Sequence, residues 1–427
     1  MTDASPPVVS RGSLSVAAFS TVVEWFDFTL YLYFATVLAR VFFGGGETAL
    51  LVTLAGFAVS YLMRPLGAVV FGHIGDRFGR RRMLLMSMAV MTVAMLLIAL
   101  LPTAAQIGPA AGWMLLALRC VMAFSVGGEY SGVTAYLLEG AHPDRRGLTT
   151  SFASAASEVG ALLAVGVSAV TVSLLSPADL DAWGWRIPFL VGAGLAGVVL
   201  ISRSAMQESP EFERQQTRGT VPRNPLWETL LHCRPALLRT FAISALASIL
   251  YYVGIIYVPT FLTSVGTLSE RDALWFSTVA ALVVILVTPL VGALSDRVGR
   301  KPVLTTLAVG GLALPIALFA LMQTGAAIPT MLGAALMAYL AGGASAVGAV
   351  SAAEQFPGEG RLSGLALGAT VATAVFGGLT PYLSQLLIER TGWALLPGVM
   401  ITAVALVVLP VFLRMAETAP VRTRGAP

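Results

Sequence analysis

The sequence predicts an all-α membrane protein, with twelve spanning helices in two pseudo-symmetric bundles of six. Three observations predict it. Apolar residues make up 57% of the 427 and charged residues 11%, with a mean hydropathy of +0.83. About twelve apolar stretches can be marked as crossings, the sixth of them short. A motif rich in glycine and arginine occurs twice, at matching places in the two halves.

Soluble domains average about 25% charged residues. A soluble chain of this composition has too little polar surface to cover itself, whereas a membrane helix has lipid as its outer solvent. The net charge of +4 is modest, and the basic residues sit between apolar runs. They form no stripe of the kind that binds nucleic acid. Cys120 and Cys233 offer neither a disulfide framework nor metal spacing. Residues Met1 to Ser10 carry no basic residue and read as a short tail, and the apolar run after them is too long for a cleaved signal.

One crossing needs about 20 residues. The expected spans are Val16–Phe43, Leu50–Phe71, Met83–Leu101, Gly112–Leu138, Thr149–Leu175 and Ile187–Ile201 in the first half. In the second half they are Thr240–Leu262, Leu274–Leu294, Val303–Met322, Pro329–Ser351, Leu362–Ile388 and Ala394–Leu413. Most basic residues of the loops and tails fall on one side, among them Arg77, Arg80, Arg81, Arg82, Arg145, Arg146, Arg297, Arg300, Arg414, Arg422 and Arg424, with Lys301. The other side keeps Arg40, Arg186, Arg271 and Arg390. The positive-inside rule then puts both termini in the cytoplasm. The polar stretch from Arg203 to Arg239 reads as a linker. The division is a tail (1–15), a bundle (16–203), a linker (204–239), a second bundle (240–413) and a tail (414–427).

Gly72-His-Ile-Gly-Asp76-Arg77-Phe-Gly79-Arg80-Arg81 follows the second span. Gly292-Ala-Leu-Ser-Asp296-Arg297-Val-Gly299-Arg300-Lys301 follows the eighth. A second echo pairs Glu139, Pro143 and Arg146 with Glu354, Pro357 and Arg361. Internal repeats of this kind are a design of secondary transporters. The loops resemble the signature loop of the major facilitator superfamily. Further motifs narrow the resemblance to its metabolite:proton symporters, carriers of citrate, 2-oxoglutarate, shikimate, and proline or betaine. They are Glu24-Trp25-Phe26-Asp27-Phe28, Arg64-Pro65-Leu66-Gly67, Phe124-Ser-Val-Gly-Gly-Glu129-Tyr, Asp181-Ala-Trp-Gly-Trp-Arg186-Ile-Pro188-Phe and Phe376-Gly-Gly-Leu-Thr-Pro381. The likeness runs over nearly the whole chain. In one departure, Met122-Ala123 stand where that family usually has Gln-Gly, so a substrate contact of that glutamine is missing here. The long coiled-coil tail of some osmolyte carriers is not expected, since the chain stops soon after Arg414.

In the signature loops Asp76 can cap a following helix or pair with Arg80 or a neighbour, and Gly72 and Gly79 permit close approach. Gly72, Asp76, Arg80, Asp296 and Arg300 are therefore candidates for a cytoplasmic gate. A charge at bilayer depth costs at least ~2.5–3.5 kcal/mol, so it needs a partner or a wet cavity. The first half carries Glu24, Asp27, Arg64, Arg119, Glu129 and Glu158 at such depth, and the second half essentially none. Glu24 and Asp27 are three residues apart on one helical face, which Tyr31 continues. Two acids in a low dielectric are suited to proton carriage. Asp27 coupled to Arg119 is the first choice, as the resemblance also implies, with Glu24 and Glu129 as alternatives. Arg119 cannot give up its proton but can bind a substrate anion. Arg119, Arg64, Tyr31, Tyr251, Tyr252, Tyr257 and Tyr382 are the candidate substrate ligands, the later tyrosines lying near Pro259 and Pro381. Glu158 reads as an inter-helix partner near the cytoplasmic end.

The single lysine, Lys301, lies outside any Walker sequence, so a nucleotide-driven pump is excluded. His73, His142 and His232 have no metal spacing, so no enzyme, metal or cofactor is expected. The resulting expectation is a proton-coupled symporter, a monomer of the inner membrane, that takes up a small organic acid. A zwitterionic osmolyte is the alternative cargo. A proton-driven exporter is the alternative direction, which the absent fifth-helix Gly-Pro motif of drug antiporters disfavours.

Overall fold

The computed structural model describes residues 9–45, 47–266 and 268–420. Most of the expected N-terminal tail, and Arg422 and Arg424 of the C-terminal one, lie outside the described residues, as does the side chain of Arg271. The described residues form helices and no strand.

Ten helices are long and apolar enough to cross a bilayer unaided, among the described residues. They are Ala55–Phe78, Arg80–Ala99, Ala110–Gly140, Pro143–Leu174 and Arg186–Ser204, then Arg234–Ile256, Trp275–Val298, Ala327–Glu354, Gly358–Thr391 and Leu396–Arg414. Two bent pairs complete twelve, six in each half. The first span, expected to be one helix over Val16–Phe43, is Arg11–Tyr33 and Ala35–Phe43, bent by 68°. The ninth, expected over Val303–Met322, is Arg300–Ala313 and Pro315–Gln323, bent by 48°. Pro315 explains the second break, because proline lacks the N–H and crowds the preceding turn. The first falls at Phe34, whose ring is buried in the core of that half, and no proline or glycine marks it.

Each half has an apolar core. Phe26, Phe42, Met95, Trp185 and Phe189 pack together in the first half. Phe261, Phe319, Met322 and Met337 do so in the second. Other large apolar side chains face outward, including Leu96, Trp113, Val170, Ile201, Leu286 and Val407. Water would penalise so broad an apolar surface, and lipid does not.

Small residues set how closely the spans cross. A Cβ on Gly127 would overlap the carbonyl of Arg64, and one on Gly67 the carbonyl of Phe124. The second and fourth spans therefore touch backbone to backbone, which fixes where Arg64 stands. Between the halves, a Cβ on Gly147 would lie 2.5 Å from the Gly292 carbonyl. Gly79 and Gly299 turn the chain between spans with φ of 105° and 113°, a region that favours glycine. After the sixth span the chain forms two short helices, Pro210–Arg218 and Pro225–His232. The first buries Phe212 and Gln215, so this stretch is docked on the arginine-rich face.

Gly127→Ala is expected to destabilise the protein by about 1–3 kcal/mol through overpacking. Gly194→Ala, whose new Cβ meets nothing within 4 Å, is expected to be neutral or slightly stabilising. Thermal unfolding in detergent reads both, and equal melting temperatures would show that the crossing is not tight.

Candidate functional site

Between the two halves lies a cavity of about 180 Å³. A water takes up about 30 Å³, so one small solute fits. The first half lines it with Glu24, Trp25, Tyr61, Arg64, Tyr130 and Glu158. The second half contributes Ser248, Tyr251, Tyr252 and Thr373. All the charge on the wall thus comes from one half, and the other supplies hydroxyls and rings.

Arg64 faces the cavity over the rings of Tyr61 and Phe28, at 4.8 and 5.4 Å from their centroids. Its Nη1 reaches Glu24 Oε1 at 3.4 Å, a long single contact. The other oxygen of Glu24 is buried without a hydrogen-bond partner. One turn further along the first span, Asp27 accepts from Arg119 Nη1 at 2.5 Å. The fourth span brings Arg119 to Asp27 in direct contact. Asp27 Oδ1 and Arg119 Nε have no hydrogen-bond partner among the described residues. Arg119 also lies 4.5 Å over the Tyr31 ring, whose hydroxyl donates to the Thr53 carbonyl at 3.0 Å.

Several expected ligands stand elsewhere. Arg119 and Tyr31 belong to the packed interior of the first half, outside the cavity wall. The Tyr257 hydroxyl donates to Gln385 Oε1 at 2.7 Å, also off the wall. Tyr382, on the turn begun by Pro381, points outward with 67% exposure. Arg64, Tyr251 and Tyr252 do line the cavity. Glu158 is a correction of another kind. It lies on the cavity wall and not near the arginine-rich end, and it accepts a hydrogen bond from Tyr251 of the opposite half.

Glu129 is held by Arg203, Ser20 and Ser87, all buried. The sequence reading puts Arg203 at the edge of the linker. It is instead the end of the sixth span, turned fully inward. The need of Glu129 for a cation was the signal for it.

On the side of the cavity away from the arginine-rich loops, the Tyr61 and Tyr252 hydroxyls meet at 2.7 Å across the halves. Backbone irregularity makes room for them. Tyr252–Ile256 and Ala374–Gly378 are π-helical turns just before Pro259 and Pro381. A Cβ on Gly377 or Gly378 would press on the Tyr252 or Tyr61 ring, at 2.9 and 3.0 Å.

The arginine-rich side is latched by ions. Asp76 accepts from the backbone N–H groups of Leu362 and Ser363 at 3.2 and 2.8 Å. These begin the eleventh span, so Asp76 caps a helix of the other half and not the third span. In return Asp296 accepts from Gly147 and Leu148 N–H at 2.7 and 2.9 Å, the start of the fifth span. Arg80 contacts Asp76 at 3.3 Å and Glu139 at 3.1 Å, and donates to the Gly358 carbonyl across the interface at 2.6 Å. Arg300 contacts Asp296 at 2.8 Å and Glu354 at 3.2 Å. Arg361 reaches across to Glu139 at 2.5 Å. Gly72 lets the eleventh span approach, with Leu362 O 3.2 Å from where its Cβ would be.

Two carboxylates missed in the sequence support these latches. Glu208 accepts from the N–H groups of Arg80 and Arg81 at 2.9 and 3.1 Å. Glu417 does the same for Arg300 and Lys301 at 2.8 and 3.1 Å. Burial pushes the Glu208 carboxyl up, against the pull of the N–H donors and of Arg80. The signal was a third echo between the halves, Glu208-Ser209-Pro210 and Glu417-Thr418-Ala419-Pro420.

Residues 14–223 match the family model described as sugar (and other) transporter, and residues 267–427 that of the major facilitator superfamily. The chain is 34% identical to the ectoine/proline transporter ProP of Corynebacterium glutamicum, over 93% of this chain and 82% of that one. It is also 34% identical to the citrate-proton symporter of Klebsiella pneumoniae, over 88% and 85%. The alpha-ketoglutarate permease of Escherichia coli matches at 34% over 86% and 85%. Among solved structures, the proton:xylose symporter XylE bound to 6-bromo-6-deoxy-D-glucose superposes with a TM-score of 0.78. It is 18% identical and covers 95% of this chain and 96% of that one, a likeness of fold.

Asp76→Asn or Asp296→Asn keeps the side chain's shape and removes its charge. A hydrogen bond to a charged group is worth about 1.5–3 kcal/mol. Each change is therefore expected to raise opening of the arginine-rich side by about ten- to a hundredfold. The readout is labelling of a cysteine at Ala369, in the cavity wall, by an impermeant thiol reagent in a chain with Cys120 and Cys233 replaced by serine. An unchanged rate would remove these aspartates from the latch.

Proposed function

The chain belongs to the major facilitator superfamily, and within it we propose that it is a proton-coupled carrier that takes up a small organic carboxylate by alternating access. One observation carries this reading: Arg64, on the cavity wall, has the long contact to Glu24 as its one hydrogen bond among the described residues. Relatives named as a proton symporter of citrate and as transporters of proline, ectoine or betaine support it.

The coupling follows from charge balance. With Glu24 ionised, Arg64 is neutralised, and a substrate carboxylate entering the cavity adds an uncompensated charge. A proton on Glu24 releases Arg64, which stays cationic and can hold the carboxylate in a bidentate pair. Proton and carboxylate group then enter together, and the Arg64–Glu24 end of the cavity keeps its net charge. The sequence favours Asp27 as the proton site. In this reading the substrate-linked exchange falls to Glu24, supported by its contact to Arg64, and Asp27 with Arg119 is the second acid one turn away. A single arginine on the wall suits one carboxylate group better than three.

The two bundles, residues 16–203 and 240–413, rock about this cavity in the proposed cycle. The arginine-rich face, with both termini, is the cytoplasmic face of an inner membrane. The latches at Asp76, Arg80, Asp296 and Arg300 then close the cavity to the cytoplasm, and the Tyr61–Tyr252 contact closes it to the outside.

Proteoliposomes test the coupling. Glu24→Gln mimics the protonated acid and is expected to lose accumulation driven by a pH gradient while retaining solute exchange between equal pH. Asp27→Asn is expected to lower gradient-driven uptake as well. Full accumulation by Glu24→Gln would reject the exchange mechanism.

A further inference from the structure

We infer that Glu158 and the aromatic rings beside it form a subsite for an alkylated ammonium group, so that the carried carboxylate is one end of a zwitterion. The inference rests on the reading of Arg64 as the carboxylate site. The first half holds four buried acids at membrane depth, and three have an arginine: Glu24 with Arg64, Asp27 with Arg119, Glu129 with Arg203. Glu158 pairs with no basic side chain among the described residues. Its one hydrogen bond comes from the Tyr251 hydroxyl, and it lines the cavity. A charge buried to 3% exposure without a counter-ion is costly, so the cavity is built to receive a positive group there.

The wall around it selects the kind of cation. Trp25, Tyr130, Tyr251 and Tyr252 line the same cavity, and the Trp25 ring lies 5.3 Å from that of Tyr251. Ring faces attract cations, and a methylated ammonium needs no hydrogen-bond acceptors in return. Arg64 and Glu158 thus offer opposite poles to one small solute. Tyr251 belongs to the second half and Glu158 to the first, so a ligand cation at Glu158 touches the joint between the halves and links binding to their closure.

Calorimetric binding to the purified full chain at neutral pH tests this with two probes of one shape. Trimethylglycine carries the ammonium, and tert-butylacetate replaces its nitrogen by carbon. The wild type is expected to bind trimethylglycine about tenfold or more tightly than tert-butylacetate. Glu158→Gln is expected to abolish that preference by weakening trimethylglycine alone, and Glu158→Asp to keep part of it. Equal binding of the two probes, no binding of either, or an equal loss of both in Glu158→Gln would overturn the subsite. Glu24-dependent, gradient-driven uptake of another carboxylate would persist in that case, so the carrier reading fails or survives separately.

Discussion

An ion taken out of water must meet an opposite charge or a donor, and most of this structure follows from that rule. The desolvation cost of each buried ion is several kcal/mol. The first bundle meets it with arginine partners for Glu24, Asp27 and Glu129, drawn from the second, fourth and sixth spans. Two of these pairs tie the first span to the second and fourth, and the third ties the fourth to the sixth, while all keep ionisable oxygens within the bundle. The second bundle avoids the cost by presenting Ser248, Thr373 and tyrosines to the cavity. It can move against the first without exposing a charge of its own at membrane depth.

The same rule shapes the joint on the arginine-rich side. Helix starts have N–H groups without intrahelical partners and a partial positive charge, and they attract carboxylates. Asp76 and Asp296 each satisfy two such groups, and each does so in the opposite half. Arg80 and Arg300 neutralise them, while Glu139 and Glu354 satisfy the arginines in turn. Because the motif is repeated, the contact is reciprocal.

Much of the fold was legible because its signals are local. Apolar length marks the spans, and the Gly-Asp-Arg-Gly-Arg motif marks the repeat. The bend at Phe34 has no local mark, since nothing in its residues interrupts a helix. Pro315 did mark the other break, and length alone hid it. The acids and arginines at membrane depth could be named from the sequence, but their partners depend on how helices cross. Arg119 lies at a suitable depth for substrate, yet its helix face turns it to Asp27 and Tyr31. Arg203, at the end of an apolar run, looks like a residue that reaches for the headgroups, and only the inward turn of the sixth span shows it as the partner of Glu129. Depth also misplaces Glu158, because the fifth span begins at Pro143 and not at Thr149, which puts Glu158 at the middle of the helix.

The contacts between the halves on the two sides of the cavity differ in kind, and in the proposed cycle that difference sets a preferred resting state. The arginine-rich side is held by carboxylates on backbone N–H groups and by ion pairs, each worth about 1.5–3 kcal/mol when made to a charged group. The opposite side is held across the halves by the Tyr61–Tyr252 hydroxyl contact and ring packing. A neutral hydrogen bond is worth about 0.5–1.5 kcal/mol. In the proposed cycle an empty molecule would therefore open more readily at the tyrosines than on the arginine-rich side. A ligand reverses that bias only by binding the alternative arrangement more tightly. Arg64 and Glu158 are placed to do this, since one stands beside Tyr61 and the other bonds Tyr251. If both proposed sites are filled, both ends of the solute bear on the tyrosine layer, and filling the cavity strengthens the weaker contact between the halves.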